Sequence, residues 1–463
     1  MKGWSKVKSN LKFKIPSAAN EIIHTLQNRG YEAYLVGGCV RDNILKRPVH
    51  DYDITTSATP DEMIEIFEDK KIIETGLQHG TITIVIDEVP YEVTTYRIDG
   101  SYSDNRRPDK VTFTKSLEED LKRRDFTINA MAYNDKVGLI DPFNGMNDIK
   151  NREIRCVGNA KDRFSEDALR ILRAIRFAGQ LNFDIEFNAS ESIQTMCGDL
   201  KNISIERINS ELCKIVLSND FSQLLVSYAS VFLVFIPELE DMFGFQQNNP
   251  YHDYDVWLHT LVAIDRCESD DLITRLAVLF HDIGKPHCYQ DDEDWTRHFR
   301  GHGDVSAKMA NKIMRRLRFD NDTREKVVEL IRYHDSTIEV GEKYIKRWLN
   351  KIGVDQFKRL LDIRRADILA QSPQYKEERI GKLNEISVLL DKVLSKKTCF
   401  TLRNLAVNGN DVKQVMHLET GKDVGCWLNE ILKRVIDGDL KNEKEEIIHW
   451  MTGVTDGWIK YEK

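Results

Sequence analysis

The sequence predicts an α+β protein: a small mixed β-sheet with helices in its first part, then helices alone. Two observations carry this. Residues 16–150 alternate short helical and strand-like runs. After about residue 150 the β signal nearly vanishes, and apolar residues recur at helical spacing to the C-terminus. With 463 residues, 41% hydrophobic and 31% charged, the chain is long enough for roughly three packed units.

In chain order, SAANEIIHTLQNRG (17–30) reads as a helix, AYLVGG (33–38) as a strand entering a turn, and DYDITT (51–56) as a strand. TPDEMIEIF opens a helix with Thr59 as N-cap, Pro60 at the first helical position and Glu62 closing a capping box. TITIVI and YEVTTYR flank Asp87-Glu88-Val89-Pro90 and predict a hairpin. DALRILRAIRFAGQL and ERINSELCKIVL then repeat apolar residues at helical intervals. Character changes near Gln246-Gln247-Asn248-Asn249-Pro250, and seven of the twelve histidines lie between His252 and His334. Lysine- and glutamate-rich stretches near Lys376–Lys382 and Lys396–Lys397 precede a helical tail. The expected divisions are 16–150, 151–250, 251–375 and 376–463.

Composition removes several function classes. The longest apolar-rich stretch, Leu224–Ile236, falls short of a bilayer span, and the basic start MKGWSKVKSNLKFK lacks the apolar core of a secretory signal. Eight cysteines without a C-x-x-C pair suit reduced thiols, so a cytoplasmic location is expected, with no membrane partner. A net charge of -8 argues against wholesale coating by nucleic acid. Residues 154–179 are the exception, with six basic side chains against three acidic ones.

Phosphoryl transfer needs cations that bridge the triphosphate and activate the attacking hydroxyl, and carboxylates must hold them. In a strand, Asp51 and Asp53 point to one face, offering oxygen ligands side by side to a pair of Mg²⁺ ions. Gly37 and Gly38 let backbone approach a phosphate, and Arg41 adds positive charge. The run LVGGCVRDNILKRPVHDYDITT resembles the signature of the polymerase-β-like nucleotidyltransferases, in the class II (bacterial-type) tRNA nucleotidyltransferase and poly(A) polymerase form. The resemblance implies a catalytic head over 16–150, a neck and body over 151–250 that bind nucleotide and RNA, and a tRNA-binding tail over 376–463. It also implies a third carboxylate, for which Glu92 in YEVTTYR is the equivalent.

Residues 97–133 resemble the family's flexible loop and its R-R-D-F-T-x-N-A motif. Arg123 and Arg124 are expected to bind triphosphate or RNA backbone, Asp125 to buttress a metal ligand or an arginine, and Asn129 to contact ribose or shape the site. The loop Asp104-Asn105-Arg106-Arg107-Pro108 is associated in the family with adding the final A. In SEDALRILRAIRF, Asp167, Arg170, Arg173 and Arg176 recur every three residues, and the sequence reads them along one helix face. A carboxylate beside a guanidinium matches the amino donor and ring-nitrogen acceptor shared by cytosine and adenine, so Asp167 with Arg170 would admit CTP and ATP. Arg173 and Arg176 would serve phosphates or hold that pair, and Glu206 and Arg207 would brace the helix. A capped helix start with an ordinary acid–base pair is the structural alternative for Asp167 and Arg170.

His259, His281, Asp282, His302, His334 and Asp367 resemble the ligand series of the HD phosphohydrolase superfamily, placed here over 251–375. The resemblance implies one ion on His259, His281, Asp282 and Asp367 and a second on His302 and His334, with a divalent transition metal as cofactor. In some tRNA nucleotidyltransferases such a domain is associated with removing phosphates from tRNA ends. Altogether the resemblance implies template-independent addition of C, C and A to the tRNA 3′ end from CTP and ATP, with release of pyrophosphate. Poly(A) polymerase or A-only addition is the alternative within the class. An RNA-binding or HD-signalling protein with an inactive head is the alternative outside it.

Overall fold

The computed structural model describes residues 12–100, 111–396, 398–419 and 421–461. The loop Asp104–Pro108 therefore lies outside the described residues. Two compact units divide between Pro237 and Glu238.

In the first unit, α1 (Ser17–Asn28) buries Ala19, Ile22, Ile23 and Leu26, a stripe at helical spacing. It leads to β1 (Ala33–Val36) and, through Gly37, to α2 (Gly38–Ile44), followed by β2 (Ile54–Thr56), α3 (Pro60–Ile66), β3 (Lys71–Ile73), β4 (Thr81–Ile86) and β5 (Val89–Thr95). Next come β6 (Arg97–Asp99), β7 (Val111–Phe113), α4 (Leu117–Lys122), β8 (Ala132–Asn134) and β9 (Gly138–Ile140). Seven of these strands form one sheet in the order β3-β4-β5-β2-β1-β8-β9. It is mixed, because β2 runs parallel to β5 while the other ladders are antiparallel. The capping box is present, with Thr59 accepting from the Glu62 amide and Glu62 accepting from that of Thr59. The hairpin turns on Asp87 and Glu88 alone, both at positive φ (50° and 64°), as a tight two-residue turn requires.

The helical part of this unit comprises α5 (Gly145–Asn151), α6 (Ala160–Glu166), α7 (Leu169–Leu181), α8 (Phe187–Met196), α9 (Ile205–Val216), α10 (Phe221–Ser227) and α11 (Ala229–Leu233). The expected loss of β structure is incomplete. β10 (Glu153–Ile154) and β11 (Asp184–Ile185) form a parallel two-residue ladder, too short to leave a periodic signal. α7 packs on α9 and buries Ile171, Leu172, Ala174, Ile175 and Ala178, which fixes the direction of its arginines.

The second unit contains α12 (Val256–Arg266), α13 (Leu272–Phe280), the short pair β12 (Gln290–Asp291) and β13 (Arg297–His298), α14 (His302–Arg316), α15 (Asn321–Tyr333), α16 (Glu342–Ile352), α17 (Val354–Leu369) and α18 (Pro373–Ser395). α12, α13, α15 and α17 pack together around Leu276, Val278, Leu330 and Leu360. The tail helices α19 (Gly409–Met416), α20 (Gly421–Asp437) and α21 (Lys444–Tyr461) close on their own core of Val412, Ile431, Leu432, Ile447 and Met451. No helix among the described residues is long and apolar enough to cross a membrane.

Candidate active site and metal centre

The first unit holds a cleft of about 450 Å³ between the sheet and α7. Gly37 at φ 79° makes the turn from β1 into α2, a conformation that side chains resist. A Cβ there would lie 3.4 Å from Arg124 Nη1 and 3.6 Å from Asp53 Oδ2, so the glycine brings backbone up to a carboxylate and a guanidinium. Asp51 and Asp53 stand just before β2 rather than inside it, a correction to the strand predicted over 51–56. The Val36 amide still donates to the Asp53 carbonyl at 3.0 Å, so the ladder holds Asp53 in place.

Glu92 is exposed on β5 between buried Tyr91 and Val93. The parallel register pairs Ile54 with Val93, which sets Glu92 one step back, beside Asp53. The Asp53 carboxyl is raised above its ordinary value, first by desolvation and then by the charges of Glu92 and Asp51, with Arg124 opposing. Accumulated negative charge of this kind fits a divalent cation. Glu92 does not line the cleft itself.

On the opposite wall a chain of hydrogen bonds runs through the motif residues. Arg41 Nη1 donates to Asn129 Oδ1 at 2.7 Å, Asn129 Nδ2 donates to Asp125 Oδ1 at 3.3 Å, and Arg173 grips Asp125 Oδ2. Burial alone would raise the Asp125 carboxyl, but Arg173 and Arg170 overcome it and hold the group down at about 2. Arg41, Arg173 and Arg176 gather around the Phe177 ring with guanidinium carbons 5.0, 5.3 and 4.2 Å from its centroid. Arg176 also reaches Glu211 on α9 at 2.8 Å. Asp125 thus buttresses an arginine, one of its two expected roles, and Asn129 shapes the wall.

Three expectations are placed differently. Arg123 turns away from the cleft, onto Asp120 at 2.7 Å, whereas Arg124 lines it. Asp167 is not on the arginine helix; α6 ends at Glu166 and α7 begins at Leu169, so Asp167 sits in the break between them. The Arg170 amide donates to the Asp167 carbonyl at 3.0 Å, but the two side chains are held by different partners. Asp167 accepts from Arg207 at 2.7 Å, while Arg170 donates to Glu166 at 2.5 Å and to the Arg123 carbonyl at 3.1 Å. Neither lines the cleft.

In the second unit all six expected residues converge. His259 Nε2 lies 3.0 Å from Asp367 Oδ1 and 3.4 Å from Asp282 Oδ2, and His281 Nε2 lies 3.1 Å from Asp282 Oδ2. His302 and His334, their Nε2 atoms 3.0 Å apart, approach the other oxygen, Oδ1 of Asp282, at 3.4 and 3.7 Å. Each of these four imidazoles has Nδ1 on a backbone carbonyl: Ala370, Val278, Phe299 and Ile331 respectively. Pinning Nδ1 in this way fixes the tautomer that leaves Nε2 free to ligate. Both oxygens of the buried Asp282 lack a well-formed hydrogen bond, although Lys285 Nζ lies 2.7 Å from Oδ2. Buried carboxylate oxygens facing imidazole nitrogens are a donor set that fits metal ions. The positive groups hold Asp282 well below the usual carboxylate range against its burial, and desolvation pushes His302 down to about 4.

The comparisons agree over most of the length. Residues 33–155 match the Poly A polymerase head domain, 182–243 the probable RNA and SrmB-binding site of polymerase A, and 290–451 the putative tRNA nucleotidyltransferase domain 2. The chain is 36% identical over 437 residues to the CCA-adding enzyme of Geobacillus sp. (strain WCH70), covering 93% of this chain and 95% of that one. The chain belongs to the CCA-adding enzyme family. The Lactobacillus delbrueckii CCA-adding enzyme is 51% identical over 205 residues, and there the match spans about half of the relative's length (51%) and 44% of this chain. The solved Bacillus stearothermophilus CCA-adding enzyme in complex with CTP superposes with a TM-score of 0.69 at 29% identity, covering 96% of this chain and 98% of that one.

For a CCA-adding family member, three residues around these sites went unread in the sequence. Asp120 is fully buried and takes Thr55, Arg123 and Arg124, and its spacing of three and four from the arginines was the available signal. Phe177 carries the three guanidinium groups, but an aromatic on a helix announces only core. His252 lines the same cavity of the second unit, yet stands outside the motif that named the other six side chains.

Proposed function

We propose that this chain adds C, C and A to the 3′ end of tRNA from CTP and ATP without a nucleic-acid template. The observation that carries the reading is the cleft in which the Gly37-Gly38 turn, Asp51, Asp53 and Arg124 face Arg41, Arg173 and Arg176, in a chain of this family. Asp51, Asp53 and Glu92 would hold Mg²⁺, which when bound supplies a bridge to the triphosphate and a lower pKa for the attacking hydroxyl. The chain's own groups do the remaining work. The turn and Arg124 seat the phosphates, Arg41 and Arg173 spread positive charge over them, and the 3′ hydroxyl attacks the α-phosphate in line as pyrophosphate leaves.

Base selection by Asp167 and Arg170 requires the incoming base to exchange with Arg207 and Glu166, their present partners. The neck, body and tail would grip the acceptor arm by its backbone and shape, since A-form RNA hides its deep groove. Incubating the protein with tRNA ending in CC, and with tRNA lacking CCA, in each single nucleotide tests the reading. C incorporation on the second substrate separates it from poly(A) polymerase and A-only addition.

The centre in the second unit supports a second activity, hydrolysis of phosphate esters at tRNA ends. His259, His281, Asp282 and Asp367 would hold one divalent transition metal, and His302 and His334 with Asp282 a second. Such ions, when bound, supply an activated water and neutralise phosphate charge. Lys285 and Arg379 line the same cavity and would orient the ester.

A further inference from the structure

We infer that His252 is a fifth protein ligand to the ion held by His259, His281, Asp282 and Asp367, an inference that rests on the metal-centre reading above. His252 precedes α12 and belongs to none of the motif positions. Nevertheless, a ring nitrogen of His252 and ligand atoms of His259 and Asp367 all lie within 4.8 Å of one another. The ring meets that of His259 edge to face, with centroids 5.0 Å apart.

The tautomer follows from its neighbour. Asn249 Nδ2 donates to the Gln247 carbonyl at 3.0 Å, and Asn249 Oδ1 accepts from the Tyr251 amide at 3.1 Å. Because the Tyr251 amide can only donate, the Asn249 atom it meets is the oxygen. That same oxygen lies 2.9 Å from His252 Nδ1, so Nδ1 carries the hydrogen and Nε2 keeps its lone pair. The four motif histidines have the same arrangement, each with Nδ1 held by a carbonyl oxygen. His252 is therefore oriented as a ligand is, by a side-chain amide instead of backbone.

Three overlapping groups result: His259, His281 and Asp282; Asp282, His302 and His334; and His252, His259 and Asp367. With His252 the set for the first ion would total three nitrogens and two oxygens, one short of six-coordination. A nitrogen-rich set of this kind selects a transition metal over Mg²⁺.

The test is Co²⁺ titration of the full chain, followed by the visible absorption of the bound ion. The parent protein is expected to bind Co²⁺, His259→Ala to lose the first ion, and His252→Ala to bind it at least about tenfold more weakly with an altered spectrum. Equal affinity and an unchanged spectrum for His252→Ala would overturn the role of His252 and leave the centre standing. No Co²⁺ binding by the parent protein would overturn both. Circular dichroism reports whether each variant folds, and His252→Gln, which keeps the size of the side chain, supplies the same comparison if the alanine variant does not.

Discussion

Arg173 donates from both Nε and Nη2 to Oδ2 of Asp125, at 2.8 and 2.5 Å, tying α7 to the segment after α4. This ion pair joins the segment between α4 and β8 to the arginine helix. Asp125→Ala leaves Arg173, Asn129 and the Phe126 amide without their acceptor, and should cost roughly 2–3 kcal/mol in urea unfolding. The double variant with Arg173→Ala should lose less than the sum of the two single losses, because both remove one interaction.

The same pair sets an acid limit. A carboxyl held at about 2, against an ordinary 3.8, stabilises the fold above pH 4, and that contribution disappears as pH falls through 2. It amounts to about 2 kcal/mol. Asp125→Asn should therefore flatten the fall in stability between pH 4 and pH 2, read by thermal unfolding across that window.

Gly37→Ala should be destabilising by about 1–3 kcal/mol, because φ 79° is held in a region that side chains resist. The new methyl would lie in van der Waals contact with Arg124 and Asp53, so the backbone strain is placed directly at the cleft. Steady-state kinetics should show a raised KM for nucleotide together with a lower kcat, whereas Gly30→Ala, with nothing near its added Cβ, should leave both unchanged.

Much of this is legible in the amino-acid sequence. The capping box at Thr59, the hairpin around Asp87-Glu88, the Gly37-Gly38 turn and the six His and Asp positions of the second unit all carry short motif signals; the structure shows the first three and brings the six side chains together. What escapes depends on distance or brevity. α2 has seven residues and β10 and β11 two each, too few for a period to emerge. Asp167 shares the three-residue rhythm of the arginines, yet the chain breaks between Glu166 and Leu169, and rhythm does not reveal a break. His252 is separated from His259 by one tract, YHDYDVWLH, and only Asn249 folding back upon it shows its orientation.

Chelation should separate the two centres. Removing divalent ions should abolish nucleotide addition, and Mg²⁺ should restore it. Asp282→Asn should eliminate phosphatase activity on a 3′-phosphorylated RNA end while leaving nucleotide addition within about twofold, since Asp282 belongs to the second unit alone.

The most direct measurement is the product formed from tRNA lacking CCA with CTP and ATP, resolved nucleotide by nucleotide for the parent protein and Asp53→Asn. Extension by C, C and A and then a stop is expected, with Asp53→Asn slower by at least about 10²-fold while folded. Extension by A alone, a continuing A tail, or equal rates in the two proteins would contradict it.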